Sequence, residues 1–156
     1  YNNNQGNIMP IKTFRGLIAS GDQDIVSLHT SDGSTGYRIV KFQLMSQTPM
    51  TVESENVVKI YSTNQATAVT ATIDFSDNAL LASGFIENQP AAKESGSAST
   101  VIFDNMIINQ DIYVTHSSEQ GVAVNYYLEL EQIKLDLNEN TVATLKDIRN
   151  VTSGIV

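Results

Sequence analysis

Imidazole is scarce in this chain, whose two histidines are His29 and His116. Each stands beside Thr or Ser at the expected end of a strand, and their separation fits no metal-ligand spacing. Both are expected at the surface or rim. Glu129 and Glu131 would share one face of a strand and resemble a pair of catalytic carboxylates. Acid–base work needs a cleft and unlike environments for the two groups, so a solvated face paired with Lys134 and Lys59 is the reading adopted. Asp22, Asp24 and Asp32 would suit calcium if a hairpin end gathered them, but the twelve-residue ligand loop is absent and turn aspartates are expected. Asp74 and Asp77 read as caps at a helix start. There is no cysteine, which removes thiolate nucleophiles, disulfides and sulfur-ligated metals together and leaves the redox compartment open. No Gly-x-Ser-x-Gly elbow, phosphate-cradling loop or zinc-peptidase motif occurs. The expectation is therefore a non-enzyme with no catalytic residues, no cofactor and no metal ligands. Asn150-Val151-Thr152 matches a glycosylation sequon and is given no role.

The tyrosines offer a different chemistry. Tyr37, Tyr61, Tyr113, Tyr126 and Tyr127 would permit a sugar-stacking platform, although strand tyrosines more often fill a core or a subunit interface. Nine basic residues against seventeen acidic ones give a formal charge of -8, so no basic patch large enough for a nucleic-acid backbone is expected. Charged residues make up 17%, below the roughly 25% usual for soluble domains, and Ser, Thr, Asn and Gln fill the difference. Such surfaces suit assemblies and extracellular particles. No apolar run approaches the roughly 18 residues of a membrane-spanning helix, and Tyr1 to Pro10 lacks the pattern of a signal peptide. Tyr1 in place of an initiating Met leaves a processed terminus open.

The elements that must position these groups read as strands. The length of 156 residues fits one domain with a single core. Residues 1–10, rich in Asn, form a polar arm; 11–150 form the domain; 151–156 form a tail. Thr13 to Ala19 and Asp24 to Thr30 read as a first hairpin around Gly21-Asp22. Tyr37 to Met45 sets Val40, Phe42 and Leu44 against Lys41 and Gln43 in a period of two. Val57 to Ser62 and the β-branched Thr67 to Phe75 continue as consecutive antiparallel strands. Asn78 to Gly84 carries a cap, helix formers and a terminating Gly, and so reads as one or two helical turns. Asn88 to Ser99 is a surface loop. Thr100 to Phe103, Gln110 to His116 and Val122 to Leu135 add strands. In the last of these Tyr126, Leu128 and Leu130 face one way and Tyr127, Glu129 and Glu131 the other. Asn138 caps a helix over Glu139 to Asn150 with the stripe Val142, Leu145 and Ile148. About eight short strands with close turn signals predict an all-β antiparallel sandwich of jelly-roll kind, with one internal and one C-terminal helix.

Three stretches taken together are familiar: Asp32-Gly-Ser-Thr-Gly-Tyr-Arg-Ile-Val-Lys-Phe, Val57-Val-Lys-Ile-Tyr, and the closing run from Asn125-Tyr-Tyr-Leu-Glu-Leu-Glu to Leu145-Lys-Asp-Ile-Arg. Over roughly residues 11 to 150 the chain resembles small virion proteins of uncultured marine tailed phages. The resemblance implies a structural role in a phage particle, made in the host cytoplasm, as a decoration or minor capsid protein rather than the main shell. It implies no catalytic residues. The expected partners are further copies of the chain, a trimer among the forms, and other capsid proteins, with no direct nucleic acid or membrane contact. Asn2, Asn3 and Asn4 of the arm, with Val142, Leu145 and Ile148, are the expected assembly residues. The alternative is an adhesin or lectin-like carbohydrate-binding module, with Ser31 to Gly36 and Asn88 to Ser99 forming the glycan site.

Overall fold

The computed structural model describes residues 10–31, 33–92, 97–103 and 106–135. The arm residues Asn2, Asn3 and Asn4, the helix expected over 139–150 with Val142, Leu145 and Ile148, and the tail all lie outside the described residues.

Eight strands and one 3-10 turn make up the regular structure described: β1 (Ile11–Ile18), β2 (Gln23–Val26), β3 (Thr35–Ser46), β4 (Ser54–Tyr61), β5 (Leu80–Asn88), the turn at Pro90–Ala92, β6 (Ala98–Ile102), β7 (Ile112–Ser118) and β8 (Val124–Lys134). One sheet has the order β1-β8-β3 and the other β2-β7-β4-β5-β6, every pairing antiparallel. The pairing is nested. β1 pairs with β8, β2 with β7 and β4 with β5, while β3 and β6 run close to each other from opposite sheets. A chain whose outer strands pair around its inner ones is an antiparallel ribbon rolled into two layers, as in a jelly roll, except that β6 pairs with β5 and not with β3. The expected all-β sandwich is present.

The core forms where the two sheets face each other. β8 lies between β1 and β3 and turns Val124, Tyr126, Leu128 and Leu130 inward, each at most 6% exposed. Ile18, Ile39 and Phe42 extend this face, and Val58, Ile60, Ala82, Ile112 and Val114 meet it from the other sheet. Full burial of one such aliphatic side chain contributes about 1.5–3 kcal/mol. The same alternation sends Asn125, Tyr127, Glu129 and Glu131 to the outer side.

Several local expectations are corrected. β1 and β2 do not form a hairpin: β1 pairs with β8 and β2 with β7, so the turn at Gly21 crosses between sheets. Likewise β3 and β4 belong to different sheets. Val40 does not share the inner face with Phe42. The register slips between Ile39 and Lys41, so Ile39 and Phe42 are both buried while Val40 is 40% exposed. A bulge of this kind adds one residue and reverses the phase of the alternation.

Asn78 to Gly84 is not helical. A turn leads into β5, because Leu80, Leu81 and Ala82 are all buried in an extended segment hydrogen-bonded on both sides. Thr67 to Phe75 is not a strand. The neighbours of β4 are already β5 and β7, so no ladder edge is free for it there. Residues 62–79 instead cross the outer face of the five-stranded sheet, where Lys59 Nζ donates to the Thr72 carbonyl at 2.6 Å and lies 3.3 Å from Thr70 Oγ1. Gln23 holds the same segment through Asn64 Oδ1 at 3.0 Å and the Gln65 N–H at 2.5 Å. Beneath it Lys59, Ser83 and Thr115 are buried. Burial pushes the Lys59 ammonium below its ordinary range, with Asp77 pulling the other way. One face of the sandwich is thus covered by its own chain. On the three-stranded sheet the outward side chains Thr13, Arg15, Leu17, Lys41, Gln43 and Met45 are exposed.

Gly84 marks how closely the sheets approach. A Cβ there would lie 2.8 Å from Leu44 Cδ1 and 3.0 Å from a ring carbon of Phe42. Gly84→Ala is expected to lower stability by about 1–3 kcal/mol through overpacking, read as a shift in the urea unfolding midpoint at constant slope. A midpoint equal to wild type would contradict this sheet contact.

Candidate functional site

His116 is the largest departure from the reading of single residues. It is fully buried on β7, not at the rim. Its Nδ1 lies 2.9 Å from the Ile18 carbonyl in the opposite sheet, and its Nε2 lies 2.9 Å from the Asn56 amide oxygen on β4. Asn56 in turn donates to Ser54 Oγ at 3.0 Å. The ring therefore ties one sheet to the other. Burial holds its pKa below the ordinary value, although the backbone at Ala19 and Ile18 favours the charged form. This is a structural histidine, since its ring contacts no groove or solvent.

His29 is at the surface as expected. Its ring Nδ1 sits 2.7 Å from Asp111 Oδ1, which also accepts from the backbone N–H of Leu28 at 3.0 Å and of His29 at 3.2 Å. Burial works to raise the Asp111 pKa, but the His29 ring and these backbone donors outweigh it and hold the carboxylate below its ordinary range. The His29 ring is 72% exposed and the Asp111 side chain 27%, so the pair lies at the surface.

The carboxylates are dispersed. Glu131 pairs with Arg38, and Glu129 accepts from the Tyr127 hydroxyl at 2.8 Å. The expected partners were Lys134 and Lys59; Lys59 lies in the other sheet, and Arg38 on the neighbouring β3 takes its place. Asp24 accepts from the Tyr126 hydroxyl at 2.9 Å while Asp22 sits in an exposed turn, so these two do not converge. Asp32 lies outside the described residues. Asp74 accepts from Ser76, and Asp77 from the Ala79 N–H, capping turns rather than a helix. Among the described residues no three His, Asp or Glu side chains cluster to hold a metal ion. Of the tyrosines, Tyr37, Tyr61 and Tyr126 are buried, whereas Tyr113 and Tyr127 are half-buried.

The feature that single-residue reading missed is a groove of about 1010 Å³ on the three-stranded sheet. Cross-strand register builds it. One row across the sheet is Arg15, Tyr127, Gln43, and the next is Leu17, Asn125, Met45. Such rows bring side chains about 5 Å apart at their Cβ atoms. Lys41 also lines the groove, and Ala98, Ser99 and Thr100 of β6 bound it. Tyr126 runs beneath, its hydroxyl within 2.9 Å of where a Cβ on Gly16 would be. Glycine at 16 is therefore required by the ring passing under β1 to reach Asp24. Among the described residues the lining contains two cations and no carboxylate, in a chain of net charge -8.

No protein-family model matches this chain, and no curated protein matches its sequence. Fold and groove geometry are thus the direct grounds for a functional reading.

The buried histidine has a consequence for acid stability. Its folded-state pKa lies below 6.5, so as pH falls under about 6.5 the unfolded chain takes up a proton that the folded one does not. Stability from this group is full above that value and is lost as pH falls toward the folded pKa. The thermal midpoint should fall between about pH 7 and pH 5. His116→Gln should flatten that dependence and lower the midpoint by an amount matching about 1–3 kcal/mol. A wild-type midpoint that does not change over this range would contradict a neutral buried ring.

Proposed function

We propose that this chain is a structural protein of a phage particle, capsid-associated and of decoration or minor capsid type, which acts by binding copies of itself and neighbouring capsid proteins. The observation that carries the reading is the edge strand β6. Its sequence Ala-Ser-Thr-Val-Ile has no charge and no proline, and Ala98 to Val101 are exposed. It ends the five-stranded sheet, with one side unpaired among the described residues. Soluble monomers blunt such edges with charge, proline or a bulge. A plain edge suits addition of a strand from another chain.

Two further points support it. Jelly rolls occur among viral capsid domains, an argument from fold that carries no activity of its own. The resemblance to marine phage virion proteins gives the same direction. In this reading Asn2, Asn3 and Asn4 of the arm, with Val142, Leu145 and Ile148, are the residues put forward for assembly, all of them outside the described residues, and the site of action is the virion. No catalytic step, nucleic acid or membrane enters the mechanism.

The second reading is a carbohydrate-binding module, favoured by the groove with Tyr127 at its centre. Jelly rolls also serve as lectin domains.

Light scattering on the full chain tests the assembly reading. A trimer or larger ring is expected. Ser99 and Val101 lie opposite Phe85 and Ser83 on the outer face of the sheet, so the double variant Ser99→Lys, Val101→Lys should reduce the mass to that of a monomer while changing stability by no more than about 0.5 kcal/mol. Deleting residues 1–9 should have the same effect on mass. A wild-type monomer at all concentrations, or an unchanged mass in the double variant, would overturn the assembly reading.

A further inference from the structure

We infer that the groove on the three-stranded sheet binds a carboxylate-bearing saccharide, a uronic-acid oligomer; this gives the carbohydrate reading a site and a ligand class, and rests on that reading rather than on the particle role. Charge distribution comes first. Lys12, Arg15, Arg38, Lys41 and Lys134 place five of the nine basic residues of the chain in strands β1, β3 and β8, beside two carboxylates, Glu129 and Glu131. Those two carboxylates are engaged, Glu131 by Arg38 and Glu129 by the Tyr127 hydroxyl. Lys41 stands opposite Glu129 in the ladder yet forms no ion pair with it. Arg15 and Lys41 have no hydrogen-bond or ion-pair partner among the described residues and both line the groove. Two cations without partners thus face a concave surface on a strongly acidic protein.

The chemistry around them selects the anion. Arg15 can clamp a carboxylate with two parallel N–H donors. Tyr127, in the same row, has its hydroxyl tethered to Glu129, which fixes the ring as a platform for the apolar face of a pyranose. Gln43 and Asn125 flank that ring with amides able to donate to and accept from hydroxyls. Lys41, one row along, meets the carboxylate of the next sugar. A groove volume of about 1010 Å³ fits several sugar units, at the upper end of the size usual for ligand sites.

Other occupants fit less well. A second copy packed face to face about a two-fold axis would bring this cationic lining against its own image. A nucleic-acid strand would bring one phosphate per nucleotide along and beyond the groove against a chain of net charge -8, whereas a uronate of about two or three units presents only the carboxylates that Arg15 and Lys41 can meet.

The experiment is a titration of the full chain with oligogalacturonate, oligoglucuronate and oligomannuronate, each against its neutral counterpart of equal length, by calorimetry and amide NMR shifts. Saturable binding to at least one uronate is expected, about tenfold tighter than to the neutral sugar, with shifts centred on Gly16, Asn125 and Tyr127. Arg15→Gln and Lys41→Gln change exposed side chains, so both fold; each should weaken uronate binding about tenfold and leave the weak neutral binding unchanged. Tyr127→Phe should keep most of the affinity and Tyr127→Ala should lose it. Equal binding of neutral and acidic oligomers would overturn the carboxylate inference while sparing the carbohydrate reading. Absence of saturable binding to every oligomer would overturn both. A poly-glutamate peptide that binds as tightly as the uronates would show charge attraction alone and overturn the saccharide assignment.

Discussion

The molecule depends on the central strand of its smaller sheet. β8 is paired on both sides, by β1 and β3, and its strict alternation decides what each side of that sheet is. Inward it supplies Val124, Tyr126, Leu128 and Leu130, the buried row on which the other sheet rests. Outward the same residues, shifted by one, supply Asn125, Tyr127, Glu129 and Glu131. A slip of one position would exchange these sets and place two carboxylates in the core, where unpaired charge is very costly. Core and groove are two consequences of one register.

A second constraint makes the two faces of the sandwich unequal. The five-stranded sheet carries Lys59, Ser83 and Thr115 on its outer side, and these are buried because residues 62–79 lie over them. Buried polar groups need partners, and the covering segment provides them for Lys59 through Thr70 and Thr72. Across the three-stranded sheet the corresponding positions hold Arg15, Gln43, Leu17 and Met45, which are exposed. The side of the fold left open is the place proposed for a ligand, and the plain edge of β6 the place proposed for another chain. The two proposed surfaces adjoin, since Ala98, Ser99 and Thr100 of β6 also bound the groove.

Much of this architecture was legible in the sequence, and the misses have physical reasons. β8 was readable because its alternation runs without interruption through Val124 to Leu130. The phase read for β3 holds from Lys41 onward, with Phe42 and Leu44 inward and Lys41 and Gln43 outward, and fails at Val40, since a bulge leaves no mark in composition. Asn78 to Gly84 was assigned to a helix because Asn, Ala and Leu satisfy local preferences for capping and helix formation. Its apolar run Leu80-Leu81-Ala82 is equally that of a strand buried on both faces, and only the ladders to β4 and β6 decide. His116 carried a signal that went unused: Ile112, Val114 and His116 alternate, which places the imidazole with two core residues. The groove was not legible at all. Arg15, Lys41 and Tyr127 come from three strands far apart in sequence, and nothing short of the pairing register brings them to one face.

The central claim is that an edge of this sandwich is completed by another chain. Hydrogen exchange followed at the amides of β6, in dilute and in concentrated protein, tests it most directly. An amide turned away from β5 has no partner among the described residues and should exchange fast in dilute protein. The account predicts that alternate β6 amides become protected as concentration rises, while those bonded to β5 stay protected throughout. Protection of β6 that is the same at every concentration would contradict it.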